Sequence, residues 1–293
     1  MGENDLKMGI VRTPLEPLQT YLDDPLRVLR TIRFATRFDF KIAEDIFTAA
    51  KDPRVMEALE TKVSYERIGK EMDLMFTAKF PFNSVKYLYD FGIIHLLLKF
   101  PPNCVELQSK ELEQKLVFEA LKLTQALGSV FLHIRDAANV ETGDSSIYGQ
   151  HFTGVQANLA NSNEEAIEGF KEFQKNCFYS ALLLPFYPFE YKSKNKMERV
   201  VMKVLQDSLK KSNEVVKFVM GVLPYVQKAM VFADQFKLHE KLSEAEKLEF
   251  AWYLRDAGPL WNAMFPLAVA QSYFESHYRP IQDVSKATSD FDI

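Results

Sequence analysis

The chain has 293 residues, of which 47% are hydrophobic and 26% charged, so it can bury a substantial core and is globular. Its net charge of −4 excludes a protein that holds nucleic acid by an overall basic charge, so any RNA contact must come from local patches. The two cysteines have no C-x-x-C spacing typical of zinc sites, and no apolar run is long enough to span a membrane. Scarce glycine and long segments of Leu, Lys, Glu and Ala predict an all-α fold.

Residues 1–20 are predicted to have little structure of their own. The segment Thr13–Pro17 contains two prolines, and each disfavours helix in the residue before it. A compact domain seldom begins with such a connector. We therefore expect residues 1–20 to be a linker from a preceding domain.

The first predicted helix lies within Tyr21–Phe40. Asp24 is a suitable N-cap, Pro25 fits the first helical position, and Asp39 is expected to mark the end. At about 100° per residue, four arginines fall within an arc of about 120°. They are Arg27, Arg30, Arg33 and Arg37, and the residues expected to be buried on the other side are Val28, Ile32 and Ala35.

Two interpretations of this arginine stripe remain open at this point. Most charged stripes on helices are only solvated surface. However, the acidic pair Asp23 and Asp24 exceeds what capping requires, and large apolar residues alternate with the arginines. The second interpretation is therefore a ligand site beside a packed cleft.

A helix at 42–51 and a short turn at 55–60 follow, and Ser64 is expected to cap a helix over 65–77. In that helix Arg67 and Glu71 are four residues apart and can form a surface ion pair. Alternatively, Glu66 could hold the arginine helix in place by accepting a hydrogen bond from one of its guanidinium groups.

Further helices are predicted along the rest of the chain, and no strand is predicted. They span 83–91 (capped by Asn83 or Ser84 and ended by a left-handed Gly92), 93–99, 110–127, 130–138, 163–184, 192–209, 214–236 (kinked or broken at Pro224), 243–255 and 261–277. We expect a polar loop and subdomain boundary at 141–162, and a disordered tail after Arg279.

Familiar catalytic motifs are missing from the sequence. It contains no glycine-rich phosphate loop, no G-x-S-x-G, no H-E-x-x-H and no D-x-D pair on a strand. The residues alone therefore indicate a ligand-recognition surface without catalytic groups and without a metal site.

Two stretches carry a family resemblance. They are IVRTPLEPLQTYLDDPLRVLRTIRFATRF and SYERIGKEMDLMF, and they resemble the class II tRNA nucleotidyltransferases (CCA-adding enzymes) and the related bacterial-type poly(A) polymerases, the eukaryotic CCA-adding members above all. In that family an acid-Asp-x-x-Arg motif reads the incoming nucleotide, and it matches Asp23, Asp24 and Arg27. The E-R-x-x-x-E motif braces the neck, and it matches Glu66, Arg67 and Glu71.

The resemblance implies an elongated helical array and a division of the chain. Residues 1–20 would be a hinge from a catalytic head that this sequence lacks, 21–77 the neck, 78–160 the body and 161–293 a tRNA-binding tail. Mg²⁺ would be bound by the missing head, supplied in cis or in trans, so no catalytic residue is expected here and the chain alone should be inactive. The substrates would be CTP, ATP and the tRNA 3′ end, inside the cell in the cytoplasm, nucleus or mitochondrion.

The resemblance also implies a way to choose the nucleotide. Asp24 would accept a hydrogen bond from the exocyclic amine of cytosine or adenine, and Arg27 would donate to the same base edge. Asp23 would orient an arginine, and Arg30 or Arg33 would reach the triphosphate. Two alternatives stay open: a non-catalytic helical RNA-binding protein without the head, or a relative that adds poly(A), only CC or only A.

Overall fold

The computed structural model describes residues 2–139, 164–194, 196–238 and 243–277. These residues form mostly helices, with two pairs of short strands, which confirms the predicted all-α class. The predicted loop at 141–162 and the predicted tail after Arg279 lie outside them. Among the described helices, none combines the length and the apolar character that crossing a membrane requires.

The chain folds into two compact units. The first comprises Met1–Gln108 and Pro188–Val216, so a segment from the second half of the sequence completes a unit that the first third begins. The second comprises Ser109–Tyr187 and Lys217–Ile293. The sequence predicted four consecutive segments (1–20, 21–77, 78–160 and 161–293), none of which includes such a return. The roles assigned to those four segments stay predictions.

Helices account for most of the elements up to Gln108. In chain order the elements are α1 (Gly2–Met8), β1 (Ile10–Val11), α2 (Pro17–Asp23), α3 (Leu26–Phe38), β2 (Lys41–Ile42), α4 (Glu44–Ala50), α5 (Pro53–Lys62), α6 (Tyr65–Phe76), α7 (Pro81–Asp90), α8 (Ile94–Leu97) and a 3-10 turn (Glu106–Gln108).

The later elements include a β-hairpin. They are α9 (Lys110–Asn139), α10 (Glu164–Leu183), a 3-10 turn (Leu184–Phe186), β3 (Glu190–Ser193), β4 (Lys196–Arg199), α11 (Val200–Lys203), a π-helical turn (Val204–Ser208), α12 (Asn213–Leu238), α13 (Glu244–Ala257), a 3-10 turn (Gly258–Leu260) and α14 (Trp261–His277).

Helix α3 lies at the centre of the first unit, where it packs against α6 and α7. Its apolar residues recur at helical spacing, and Val28, Leu29 and Ile32 are completely buried. Helix α6 contributes Met72 and Phe76 to the same core. In the second unit, α9 packs against α10 and α14.

Residues 1–20 are more structured than predicted. Glu16 caps α2 by accepting from the backbone N–H groups of Leu18 and Gln19, at 3.1 and 2.7 Å, and Pro17 occupies the first turn. Strand β1 pairs in parallel with β2, with Ile10 opposite Lys41. Residues 13–16 are irregular, as the prolines predict, so the expectation of little structure was wrong only for the flanking residues, which form α1, β1 and the start of α2. That residues 1–20 are a linker from a preceding domain stays a prediction.

The predicted helix at 192–209 was also wrong, because its first half is the β3–β4 hairpin. Two cross-strand contacts hold the hairpin: Tyr191 donates to Glu198 at 2.9 Å, and Arg199 pairs with Glu190 at 3.2 Å. Lys194 adopts a left-handed φ of 53° at the end of β3. Contacts across the hairpin, rather than helical periodicity, therefore determine the secondary structure of the first half of 192–209.

Other boundaries moved as well. Residues 110–127 and 130–138 belong to the single helix α9, and α12 continues through Pro224 instead of breaking there. Helix α7 begins at Pro81, so neither Asn83 nor Ser84 caps it. The short turn expected at 55–60 is the ten-residue helix α5, which Asp52 caps.

Several local signals were read correctly. Ser64 caps α6 by accepting from the N–H of Arg67 at 3.5 Å. Asp39 ends α3 in the left-handed region at φ 56°, and Gly92 follows α7 at φ 74°. The helix predicted at 243–255 is α13, and the structure adds a capping box of Ser243 and Glu246 that the sequence analysis did not identify.

Candidate nucleotide-recognition site

The arginine stripe of α3 does not lie on a uniformly exposed face. Arg27, Arg30 and Arg37 are exposed, whereas Arg33 is buried with 8% of its surface accessible. The guanidinium of Arg33 lies 4.3 Å from the centre of the Phe34 ring, a cation–π distance. The four arginines therefore have different tasks: one is part of the packed interior, and three are available to solvent.

Glu71 of α6 is the acidic partner of this helix. Its carboxylate accepts from Arg33 Nε at 2.7 Å and lies 3.7 Å from Arg30 Nη1. The Glu71 side chain is only 7% exposed, so two guanidinium groups neutralise a carboxylate that burial alone would disfavour. The contact joins α3 to α6 across 38 residues of sequence.

Asp24 occupies the junction between α2 and α3. It is extended, with φ −144° and ψ 96°, as the residue before a proline prefers. Helix α3 begins only at Leu26 and has no side-chain cap, so the predicted N-cap role of Asp24 was wrong. The carboxylate instead faces α6, where its Oδ1 lies 3.5 Å from Arg67 Nη2.

This arrangement replaces the predicted pair of Arg67 with Glu71. Although the two residues share one face of α6, each makes its ion pair with the α2–α3 region: Arg67 with Asp24, and Glu71 with Arg33 and Arg30. The E-R-x-x-x-E segment thus makes two separate contacts with the segment that precedes it by about 40 residues.

Glu66 does not contact the arginine helix, contrary to the second predicted role. It is exposed at the start of α6, where its own backbone N–H, the Ser64 hydroxyl and the charge of Lys210 lower the pKa of its carboxyl. Glu71 occupies the place that sequence reasoning considered for Glu66. The sequence of α6 could not show which of the two glutamates contacts the arginine helix, because the arginines lie on a different helix, α3.

Arg27 and Asp23 are held within their own neighbourhood. Arg27 Nη1 donates to the backbone oxygen of Thr20 at 3.3 Å, which leaves its other N–H groups uncommitted among the described residues. Asp23 accepts from Gln19 Nε2 at 2.7 Å. The expectation that Asp23 orients an arginine was therefore wrong, since its contact is to a neutral amide one turn earlier.

Sequence reasoning missed one contact behind the site. Lys211, whose side chain is 2% exposed, donates to Asp73 at 2.7 Å and to the backbone oxygen of Gly69 at 2.8 Å. The available signal was Gly69 itself, because a glycine inside a helix costs about 1 kcal/mol relative to alanine. Nothing in the sequence pointed to its partner.

The site offers hydrogen-bonding groups of both kinds, and the described residues include no metal-binding cluster. The Asp24 carboxylate supplies acceptors, and Arg27 supplies a planar set of donors. Within the part of the chain that the structure describes, no group of three His, Cys, Asp or Glu residues could hold a metal ion. The described residues therefore supply hydrogen-bond donors and acceptors but not the set of oxygen ligands that Mg²⁺ requires.

Comparison with known proteins confirms the resemblance, although no family model matches the chain. The chain is 27% identical over 262 residues to the tRNA nucleotidyltransferase cca1 of Schizosaccharomyces pombe, which covers 89% of this chain and 46% of the relative. It is 49% identical over 80 residues to the mitochondrial CCA tRNA nucleotidyltransferase of Saccharomyces cerevisiae, which covers 27% of this chain and 15% of the relative.

A solved structure named "Structure of tRNA-processing enzyme complex 3" shares the fold, with a TM-score of 0.53 at 13% identity. The match covers 97% of this chain and 59% of that chain. At this identity the likeness concerns the fold alone. The chain spans less than half the length of the curated relatives described above.

Proposed function

We propose that this chain, a relative of the tRNA nucleotidyltransferases, is the part of a CCA-adding enzyme that selects CTP or ATP and holds the tRNA acceptor arm. One observation carries the proposal: Asp24 precedes α3 and Arg27 lies in its first turn, and among the described residues the side chain of each makes one long polar contact, at 3.5 and 3.3 Å. Both groups thus keep hydrogen-bonding capacity for a ligand.

The chemistry of the two side chains matches the bases that such an enzyme must accept. A carboxylate accepts from the exocyclic amine of cytosine or adenine, and it repels the carbonyl that uracil and guanine carry at the equivalent position. A guanidinium donates to a ring nitrogen or to cytosine O2. Each good bidentate contact between a side chain and a base is worth about 1–3 kcal/mol of discrimination.

The arginines further along α3 take different parts in the proposal. The Arg30 side chain is 46% exposed, and its ion pair with Glu71 is long at 3.7 Å, so Arg30 keeps the capacity to contact the triphosphate. Arg33 is buried and bonded to Glu71. We therefore assign Arg33 a supporting role rather than the triphosphate contact that the sequence left open for it.

Nucleotide transfer also needs a metal site, a primer and a place in the cell. We place Mg²⁺ on a catalytic head supplied in cis or in trans, because phosphoryl-type transfers of this kind use metal ions to activate the attacking and leaving oxygens. The tRNA 3′ end is the proposed primer and residues 161–293 its proposed support. We place the protein in the cytoplasm, nucleus or mitochondrion.

The test is nucleotide discrimination by the chain joined to a head domain. Arg27→Ala should weaken CTP and ATP binding and reduce their preference over UTP and GTP by about 5- to 150-fold, following the 1–3 kcal/mol of a base contact. Arg37→Ala is the matched control, because Arg37 is an exposed arginine of the same helix. Unchanged discrimination in Arg27→Ala would refute the template.

Two other functions use the same geometry. A headless RNA-binding protein is favoured by the lack of a metal-binding cluster among the described residues, and it predicts no transfer even with a head added. An enzyme that makes poly(A), only CC or only A would use the same Asp24 and Arg27. Product length on a tRNA lacking its 3′ end separates these alternatives, and the chain without a head should transfer nothing.

A further inference from the structure

Behind the candidate site, a segment from late in the sequence is fastened to helix α6. Lys211 Nζ donates to Gly69 O at 2.8 Å and to Asp73 Oδ1 at 2.7 Å, across 142 and 138 residues of sequence. The Lys211 side chain is almost completely buried, so the two oxygens replace water around its charge. We name this contact the Lys211 latch.

The backbone on both sides of the latch is shaped for close approach. A Cβ at Gly69 would lie 2.2 Å from the backbone oxygen of Leu209, so only glycine fits there. Lys210 takes a left-handed φ of 49°, and the N–H of Lys211 bonds to Leu205 O at 2.8 Å. The segment after the π-helical turn is therefore held in one conformation against α6.

The latch and the site residues occupy opposite faces of α6. Two residues along an α-helix correspond to a rotation of about 200°, so Gly69 and Asp73 point roughly away from Arg67 and Glu71. One face is fixed by Lys211, and the other face holds the α2–α3 region through its two ion pairs. A rotation or shift of α6 would move both of those pairs.

We infer that Lys211 is a positioning residue for the candidate nucleotide site, which it never touches. It sets the rotation of α6, and α6 sets Arg33 through Glu71 and Asp24 through Arg67. Only the expected effect of Lys211 on nucleotide binding rests on the proposed function. The mechanical link from Lys211 to Arg33 is independent of what the site binds.

The experiment compares Lys211→Met with two controls in the full chain. Lys203→Met removes a half-buried lysine of the same segment that pairs with Asp207, and Leu107→Ala removes a buried apolar side chain of the same unit that is not part of the latch. The first measurement is the ¹⁵N–¹H signal of Arg33 Nε, which reports its 2.7 Å bond to Glu71. The second is CTP affinity by titration calorimetry.

Lys211→Met should shift or broaden the Arg33 signal and weaken CTP binding by roughly three- to thirtyfold, the range expected for coupling through a packed element. Neither control should do this, and Leu107→Ala should lose stability without moving the signal. If Lys211→Met does not fold, Asp73→Asn tests the same bond from its more exposed partner.

The outcomes separate the latch from the proposed function. An unchanged Arg33 signal in Lys211→Met, or in Asp73→Asn where that variant stands in for it, would overturn the positioning role. A change of equal size in Leu107→Ala would overturn it as well. If the unaltered chain binds neither CTP nor ATP while the Arg33 signal still responds to Lys211→Met, the latch stands and the proposed ligand is wrong.

Discussion

At the scale of single residues, the pair of Arg33 and Glu71 is the most sensitive contact of the candidate site. Both side chains are at most 10% exposed, and removing Glu71 leaves the Arg33 guanidinium charged, buried and without its carboxylate. Glu71→Leu alone should therefore lower the free energy of unfolding by about 3–5 kcal/mol, as measured by urea denaturation.

A double substitution tests the cause of that loss. Arg33→Met combined with Glu71→Leu removes both charges, so it should recover much of the stability that either single change loses. Arg67→Met is the comparison at an exposed pair and should cost only about 0–1 kcal/mol, because its bond to Asp24 is 3.5 Å long and partly solvated. Additive losses in the double variant would contradict this account.

Tyr21 makes the stability of the protein depend on pH in the alkaline range. It is completely buried, its hydroxyl lies 3.0 Å from Thr31 Oγ1, and burial raises the pKa of its phenol to about 12. The folded protein thus holds this proton more tightly than the unfolded chain, so the stability from Tyr21 is complete below the ordinary pKa of 10 and is lost as the pH rises towards 12.

Tyr21→Phe removes both the hydrogen bond and the titration. Near neutral pH the variant should be less stable by about 1 kcal/mol, the usual net value of such a bond. Between about pH 9 and about pH 11 the difference should shrink by roughly 1–2 kcal/mol, because only the unaltered protein loses the contribution of a proton held at pKa 12. If the urea midpoints of the unaltered protein and of Tyr21→Phe differ by the same amount across that pH range, the raised pKa of Tyr21 is wrong.

At the scale of elements, Gly69 reverses the usual effect of glycine in a helix. Alanine at an exposed helical position is normally better by up to about 1 kcal/mol. At Gly69, however, the added Cβ would meet Leu209 O at 2.2 Å, so Gly69→Ala should lose about 1–3 kcal/mol through overpacking.

Gly169 provides the matched control in another helix. It lies within α10, and a Cβ there would have no atom within 4 Å. Gly169→Ala should therefore raise the melting temperature, whereas Gly69→Ala should lower it. A higher melting temperature for both substitutions would mean that helix propensity, and not the approach of Leu209, decides at Gly69.

How far the sequence predicts this molecule depends on how local each signal is. Ser64, Asp39 and Gly92 were read correctly, because a cap or a left-handed end depends on residues within one turn. Asp24 was misread as a cap, since its partner Arg67 lies 43 residues away.

The hairpin and the latch mark the limit of that reasoning. The periodicity of residues 192–209 suited a helix, whereas its first half is a hairpin in which Tyr191 contacts Glu198 and Arg199 contacts Glu190 across the strands. Lys211 has no local sequence signal, because its contact depends on Gly69, whose missing side chain allows the returning segment to approach α6. The motif residues were found by resemblance, and their partners only by structure.

At the scale of the whole molecule, the return of the chain is the feature with most consequence. The first unit is complete only when Pro188–Val216 joins Met1–Gln108. The returning segment contributes completely buried apolar residues, among them Val200, Val204 and Leu209, as well as Lys211. A fragment of residues 1–108 would expose the surfaces that this segment covers, including the glycine face of α6.

We therefore expect the fragment 1–108 to be helical but poorly protected. In hydrogen exchange, the amides of α6 should exchange much faster in the fragment than in the full chain. The fragment lacks Lys211, so α6 can open locally without breaking the latch contacts. Adding a peptide of residues 188–216 should restore part of that protection, and the same peptide carrying Lys211→Met should restore less. If α6 is equally protected in the fragment and in the full chain, the returning segment is not needed to hold the helix that carries Arg67 and Glu71.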